Sequence, residues 1–146
     1  MYRPLSDSQK RGIVDNFNLV YYEVGIPGGN KQKTFIALER KNAKNTRPIN
    51  LFSMEFQAER ASRTYRVKHL EECLPKNVKN LMAVRMFLLD YAIKDLVRSL
   101  IADDYSVLFI YSPIEHITEV FMDNKFQIRK RVRKSGDVVY LGYRKI

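Results

Sequence analysis

The chain has 146 residues, of which 45% are hydrophobic and 29% charged, the size and balance of one globular domain rather than of a disordered segment. Lysine and arginine number 26 against 16 acidic residues, and the net charge of +10 favours anionic partners such as nucleic acid or an acidic protein surface. One cysteine and two histidines exclude an internal disulfide and cannot complete a four-ligand zinc site without a carboxylate, so no metal site is expected.

Neither a signal peptide nor a membrane-spanning segment is predicted. No apolar run follows the N-terminus, and none elsewhere approaches the roughly 20 residues that span a bilayer. A lone cysteine is also typical of a reducing compartment. We therefore expect a cytoplasmic protein that does not associate with membranes.

Hydrophobic periodicity and turn residues divide the chain into ten elements. They are a helix at 6–16, strands at 18–24, 34–39, 49–56 and 65–70, a long helix at 77–102, a strand at 105–111, a helix at 113–123, and strands at 126–133 and 138–143. The turn sequence at 26–30 and the residues around Gly136 predict that the first two and the last two strands form hairpins. Alternation places Tyr65, Val67 and His69 on one face of their strand.

The long helix is predicted to be continuous because no glycine or proline interrupts residues 77–102. Its apolar residues recur at i, i+3 and i+4, and they are Val78, Leu81, Met82, Leu89, Ala92, Ile93, Leu96 and Leu100. Arg85 interrupts this stripe, and it either reaches a phosphate or carboxylate or covers apolar surface with its stem. The dense apolar run at 107–110 predicts a strand buried on both faces.

Together these elements predict an α+β fold in a single domain covering residues 1–146. A mixed, mostly antiparallel sheet is flanked by helices, and the long central amphipathic helix organises the core.

The terminal hairpin carries the densest positive patch of the sequence. We call it the basic hairpin, and its candidate binding residues are Arg129, Lys130, Arg131, Arg133 and Lys134. Such a patch suits the phosphates of nucleic acid, with Tyr140 and Tyr143 as stacking surfaces, or an acidic protein. An edge hairpin kept soluble by its charge is the alternative interpretation.

The order of the elements resembles that of the GNAT acetyltransferase superfamily. The segment from Phe121 to Phe126 is similar to the family's Tyr-x-x-x-Gly-Phe, in which the last helix leads into the penultimate strand. The resemblance implies an acetyl-CoA site in a V-shaped gap between the fourth and fifth strands, and acetyl transfer to an amine. It also implies that Glu55, His69 or Glu71 deprotonates this amine.

The family's acyl-CoA loop, Gln/Arg-x-x-Gly-x-Gly/Ala, corresponds here to residues 78–83. Only Ala83 agrees, and Leu81 stands where a glycine lets the backbone approach the pyrophosphate. The residues that could still hold phosphates at this helix start are Lys76, Asn77, Lys79, Asn80 and Ala83. Phe121 replaces the tyrosine that often serves as the general acid.

Three hypotheses follow. The first is a non-catalytic GNAT-like interaction protein, or a virion-associated structural protein if the chain is phage-encoded, with acidic or virion proteins as partners; its location is then the host cytoplasm or the virion. The second is an N-acetyltransferase that uses acetyl-CoA on an amine. The third is a basic nucleic-acid-binding protein. The altered loop and Phe121 favour the first hypothesis over the second.

Overall fold

The computed structural model describes residues 3–25, 32–42, 46–79 and 81–146, and only the backbone of Gln32 and Lys79. The predicted turn at 26–30 and the candidate Asn80 lie outside the described residues. In the part of the chain that is described, no helix is long and apolar enough to cross a bilayer.

Four helices and seven strands make up the described chain. In order they are α1 (Asp7–Asn16), β1 (Phe17–Gly25), β2 (Gln32–Arg40), β3 (Ile49–Glu59), β4 (Thr64–Glu72), α2 (Lys76–Lys79), α3 (Met82–Ala102), β5 (Val107–Ser112), α4 (Ile117–Asp123), β6 (Gln127–Val132) and β7 (Val138–Lys145). Ser6 precedes α1 and caps it through a capping box with Gln9.

The strands form one sheet in the order β1-β2-β3-β4-β5-β7-β6. All neighbours are antiparallel except β4 and β5, which run parallel because the long helix α3 connects them. Both predicted hairpins are present as β1–β2 and β6–β7. The predicted α+β class with a mixed, mostly antiparallel sheet is confirmed.

Helices α3 and α4 lie on the same face of this sheet. Asn124 caps α4, and its side-chain amide donates to the carboxylate of Asp90 on α3 at 2.8 Å. The buried ring of Phe121 on α4 lies against Gly142 of β7. The buried side of α3 consists of Met86, Leu88, Leu89, Ala92, Ile93, Leu96, Val97 and Leu100. A fully buried leucine, isoleucine, valine or methionine contributes about 2 kcal/mol, so this side of α3 contributes strongly to the core.

Two predictions about the long helix and its strand are wrong. Leu81 has φ −104° and ψ 82°, outside the helical region, so the predicted continuous helix is divided into α2 and α3. Leu81 is also 51% exposed and therefore does not belong to the buried stripe. In β5 burial alternates, with Leu108 and Ile110 fully buried but Phe109 only half-buried, so the strand is covered on one face and not on both.

The helix predicted at 113–123 begins later, at Ile117. Its predicted inner face is correct, because Ile117, Val120 and Phe121 are all buried.

Candidate functional site

The central feature of the sheet is a gap between its two parallel strands. β4 and β5 pair from Thr64 opposite Val107 to Val67 opposite Ile110, and the pairing ends there although β4 continues to Glu72. The backbones therefore separate at the middle of the sheet, next to the point where α3 begins. This separation is the V-shaped gap that the resemblance implies.

A bulge in β4 lies beside the gap. Lys68 pairs with Glu55 of β3 and Glu71 pairs with Ser53, so the β4 strand carries one extra residue between these two pairs. His69 has a positive φ of 53°, its side chain is exposed, and Leu70 is buried instead at 3% exposure. The prediction that His69 shares a face with Tyr65 and Val67 is therefore wrong.

A cavity of about 590 Å³ lies where β4, β5 and the basic hairpin come together. Its charged and histidine lining consists of His69, Glu71, Glu115, Lys130, Arg133 and Asp137. The structure thus brings two of the three candidate bases, His69 and Glu71, next to two residues of the basic hairpin. Glu55, the third candidate, lies on β3 opposite Lys68 and does not line this cavity.

Ser112 bridges the gap from the end of β5. Its hydroxyl donates to the Leu70 carbonyl of β4 at 2.6 Å and accepts from the Ile114 amide at 3.1 Å. Ser112 is completely buried. One side chain therefore joins the two strands after their backbone pairing has ended.

Glu72 forms a second connection across the same gap. Its carboxylate lies 2.6 Å from Nη2 of Arg85 on α3 and 2.7 Å from Nε2 of His116, which precedes α4. Partial burial of Glu72 raises its pKa. The hydrogen bonds and charges of His116 and Arg85 lower the pKa by more than burial raises it, so the pKa of Glu72 lies below its ordinary value. Glu72 thus stays ionised and holds the starts of α3 and α4 to the end of β4.

A second cavity, of about 530 Å³, adjoins this cluster. Its titratable lining consists of Glu72, Arg85, Glu115, His116 and Glu119. Three glutamates against one arginine and one histidine make this an acidic environment. It lies between the starts of α3 and α4, on the side of the gap from which the segment 76–83 departs.

The predicted phosphate-binding segment is folded on itself. The amide of Val78 donates to the Pro75 carbonyl and that of Leu81 to the Val78 carbonyl, each at 2.9 Å. These two amides are thus used within the segment. Lys76 and Asn77 are exposed on α2, Ala83 lies in the first turn of α3, and Lys79 is described by its backbone alone.

The segment from Phe121 to Phe126 has the backbone that its resemblance to Tyr-x-x-x-Gly-Phe implies. Lys125 stands at the glycine position and adopts φ 64°, the left-handed region that glycine occupies without strain. Phe121 has no exposed surface and its ring centroid lies 5.0 Å from that of Phe126. The residue at the tyrosine position is therefore part of the core.

The basic hairpin presents its cations on two faces. Arg129 and Arg131 point with Gln127 to the face of Tyr143, whereas Lys130 pairs with Tyr140 and points to the other face. Arg133 and Lys134 follow the strand in an exposed turn, in which the Arg133 amide donates to the Asp137 carbonyl at 2.8 Å. The two predicted stacking tyrosines thus lie on opposite faces.

Comparison with known proteins identifies the architecture. No family model and no curated protein sequence matches the chain. Solved structures do match, and one is the N-terminal domain of a ribosomal-protein-alanine acetyltransferase from Clostridium acetobutylicum, 12% identical, with a TM-score of 0.54 over 88% of this chain and 95% of that one. Another is a Bacillus subtilis acetyltransferase in complex with CoA, 6% identical, with a TM-score of 0.50 over 88% and 99%. The chain has the GNAT fold.

The GNAT fold confirms the resemblance that the element order and the Phe121–Phe126 segment predict. It does not establish an activity, because one fold carries many functions and the identities are low. Arg85, the charged residue in the apolar stripe of α3, does reach a carboxylate, that of Glu72. The sequence alone does not reveal Ser112, Glu72 or His116 as residues of the site. No local signal marks them, since Glu72 and His116 are brought together only by the βαβ crossover.

Proposed function

We propose that this chain is a GNAT-fold interaction protein that does not use acyl-CoA. The observation that carries the proposal is Glu72, whose carboxylate is fixed between Arg85 and His116 across the gap between β4 and β5. A cofactor in that gap would have to displace these contacts as well as the Ser112 bridge. Separating the partly buried ion pair of Glu72 and Arg85 costs free energy, which the cofactor would have to offset.

The residues around the gap also do not fit the charge of coenzyme A. Its phosphates are anionic, whereas the cavity beside α3 and α4 is lined by Glu72, Glu115 and Glu119. The amides of Val78 and Leu81 already donate to the carbonyls of Pro75 and Val78, and Leu81 stands at the glycine position. Charge and backbone both favour a scaffold without the cofactor.

The basic hairpin is the proposed binding surface, and an acidic protein is the proposed partner. Arg129 and Arg131 are exposed side by side on β6. The ring of Tyr143 on the same face already packs 4.9 Å from Phe109, over which Arg66 lies at 4.4 Å. Because these rings are occupied, the face offers charge rather than free stacking surface, which favours an acidic protein over single-stranded nucleic acid. A virion-associated role is one setting for such a module and stays a prediction.

Titration calorimetry with acetyl-CoA tests the first part of this proposal. We expect no heat of binding at millimolar cofactor for the unaltered protein. A saturable signal would refute the non-catalytic proposal.

A synthetic poly-glutamate peptide tests the second part. We expect binding that weakens with salt and that falls severalfold in the double variant Arg129→Gln/Arg131→Gln. The matched control, Lys10→Gln/Arg11→Gln on α1, removes the same charge and should bind as the unaltered protein does. Equal losses in both variants would mean that net charge alone drives binding. Tighter binding of an oligonucleotide than of the peptide would support the nucleic-acid hypothesis.

An N-acetyltransferase is the second candidate, and one observation favours it. His69 and Glu71 both line the 590 Å³ cavity at the end of β4, where either could take a proton from an amine. Acetyl transfer to small amines, followed by thiol release, tests this directly. Loss of turnover in His69→Gln or Glu71→Gln, with retention in Glu55→Gln, would assign the base.

A further inference from the structure

A third cavity, of about 520 Å³, lies far from the gap, between strands β1 to β4 and the C-terminal half of α3. Its lining residues are Tyr21, Tyr22, Glu23, Thr34, Met54, Phe56, Ala58, Tyr65, Leu96, Ser99, Leu100, Asp103 and Tyr105. Neither the GNAT gap nor the basic hairpin contributes to it. Its function is therefore a separate question from that of the site above.

Aromatic rings form one wall of this cavity. Phe56 and Tyr65 stack at 5.2 Å, and Tyr105 meets Tyr65 edge-on at 5.3 Å. The side chains of Phe56 and Tyr21 remain 39% and 38% exposed. Stacking covers one face of Phe56 and one face of Tyr65, but the exposed part of the Phe56 ring leaves π surface for a molecule that enters the cavity.

The charges around the cavity are negative. Glu23 and Asp103 line it, and no lysine or arginine does so among the described residues. Ser99 and Asp103 belong to the last turn and the cap of α3, where the helix dipole also favours a cation. A site of this sign is notable on a chain whose net charge is +10.

The chain itself places one cation at the rim. The guanidinium of Arg60 lies 4.6 Å over the Tyr105 ring and 2.9 Å from the Asp103 carboxylate. This contact shows that the rim accepts a cation against an aromatic face. It also leaves Glu23 as the lining carboxylate for which no ion pair is formed in the described residues.

A buried hydroxyl in the cavity supports the presence of a ligand. Thr34 is only 4% exposed, yet its Oγ1 has no hydrogen-bond partner in the described part of the chain. Buried polar atoms are nearly always paired, by protein, water or ligand. Thr34 is therefore available to a polar group that enters the cavity.

We propose that this cavity binds an organic cation, an alkylammonium or guanidinium group, against the exposed ring of Phe56, beside Tyr65, with Glu23 as its counter-ion. The aromatic faces supply cation–π attraction, and the carboxylate and helix end supply charge. The proposal is independent of whether the GNAT gap takes a cofactor.

Amide chemical shifts with two isosteric probes test the proposal. Choline and 3,3-dimethylbutan-1-ol have the same shape, and only the first is charged. We expect choline to shift the amides around Phe56 and Tyr65 and to bind about three- to thirtyfold more tightly than the alcohol. Equal affinities of choline and the alcohol would overturn the proposal. Ethylguanidinium is the second cation to be tested, and unshifted amides with both cations at about 100 millimolar, where even very weak binding is visible, would overturn it as well.

Two variants locate the site. Phe56→Leu keeps an apolar side chain at a partly exposed position, and Glu23→Gln removes only the charge; each should weaken choline binding about threefold or more. The control Phe87→Leu removes an aromatic ring from α3 outside the cavity and should leave the affinity unchanged. An affinity that is unchanged in both cavity variants would place choline elsewhere and refute the site. Because no acyl-CoA is involved, this result is independent of the calorimetry on the gap.

Discussion

The hydroxyl of Ser112 donates to the carbonyl of Leu70 at 2.6 Å, beyond the last backbone pair between β5 and β4. In an ordinary parallel sheet a ladder hydrogen bond would occupy this place. Here a side chain replaces it, so the sheet keeps the separated strands of the GNAT fold while its buried carbonyl remains paired. The Ser112 side chain thus holds the separated strands β4 and β5 to each other.

Ser112→Ala should destabilise the protein because it removes both contacts of this hydroxyl. The Leu70 carbonyl and the Ile114 amide lose a buried partner, and we expect the free energy of unfolding to fall by about 1–3 kcal/mol. Urea denaturation followed by circular dichroism measures this change. The control Ser106→Ala removes a longer, exposed contact of 3.4 Å and should cost less than about 0.5 kcal/mol. Equal losses would show that the bridge does not contribute.

The variant Glu72→Gln should have a free energy of unfolding that depends less on pH in the acidic range than that of the unaltered protein. The pKa of Glu72 in the folded protein lies below the unfolded value of about 4.3, so the carboxylate stabilises the fold fully above that pH. The stabilisation is lost as the pH falls through the folded pKa. The difference in unfolding free energy between the unaltered protein and Glu72→Gln should therefore be constant near pH 5.5 and shrink towards pH 3 (a window set by the glutamate pKa, about 4.3).

The matched control for this measurement is Glu71→Gln on the adjacent, exposed residue. The unfolding free energy of Glu71→Gln should differ little from that of the unaltered protein over the same pH range. A difference in unfolding free energy between the unaltered protein and Glu72→Gln that grew towards low pH would contradict the prediction. It would mean that Arg85 and His116 do not stabilise the ionised form of Glu72.

The element order, both hairpins and the amphipathic face of α3 could be predicted because each depends on local periodicity and turn residues. The break at Leu81 could not, because no glycine or proline marks it in the sequence, whereas the backbone of Leu81 leaves the helical region. The bulge at His69 was missed for a related reason. Strict alternation contains no signal for an extra residue, which is fixed by the pairing of β4 with Glu55 and Ser53.

The candidate site was predicted less completely than the fold. The resemblance implies Glu55, His69 or Glu71 as the base, and of these His69 and Glu71 line one cavity. The cluster of Glu72, Arg85 and His116 joins three separate elements, and its members approach only after β4, α3 and α4 are packed. Sequence spacing carries no information about such a contact.

Lys125→Gly should stabilise the protein although it removes a side chain. Lys125 adopts φ 64°, which costs a residue with a Cβ about 1 kcal/mol and costs glycine little. The larger freedom of glycine in the unfolded chain offsets part of this gain, so we expect an increase of up to about 1 kcal/mol. Thermal unfolding measures it. The control Lys130→Gly, in the extended strand β6, should instead lower stability, and a loss in both variants would contradict the assignment of strain to position 125.

Gly142→Ala should be strongly destabilising because Gly142 lies against the ring of Phe121. A Cβ at this position would come within 2.6 Å of two ring carbons, and Phe121 is fully buried and packed against Phe126. The ring has no space to move, so we expect a loss of about 1–3 kcal/mol by urea denaturation. Gly12→Ala is the matched control, since a Cβ in the middle of α1 meets nothing within 4 Å and should raise stability by about 0.5–1 kcal/mol. The double variant Gly142→Ala/Phe121→Leu should lose less than the sum of its two single variants, because the smaller side chain leaves room for the methyl group. Strict additivity would show that the cost of Gly142→Ala arises from something other than contact with Phe121.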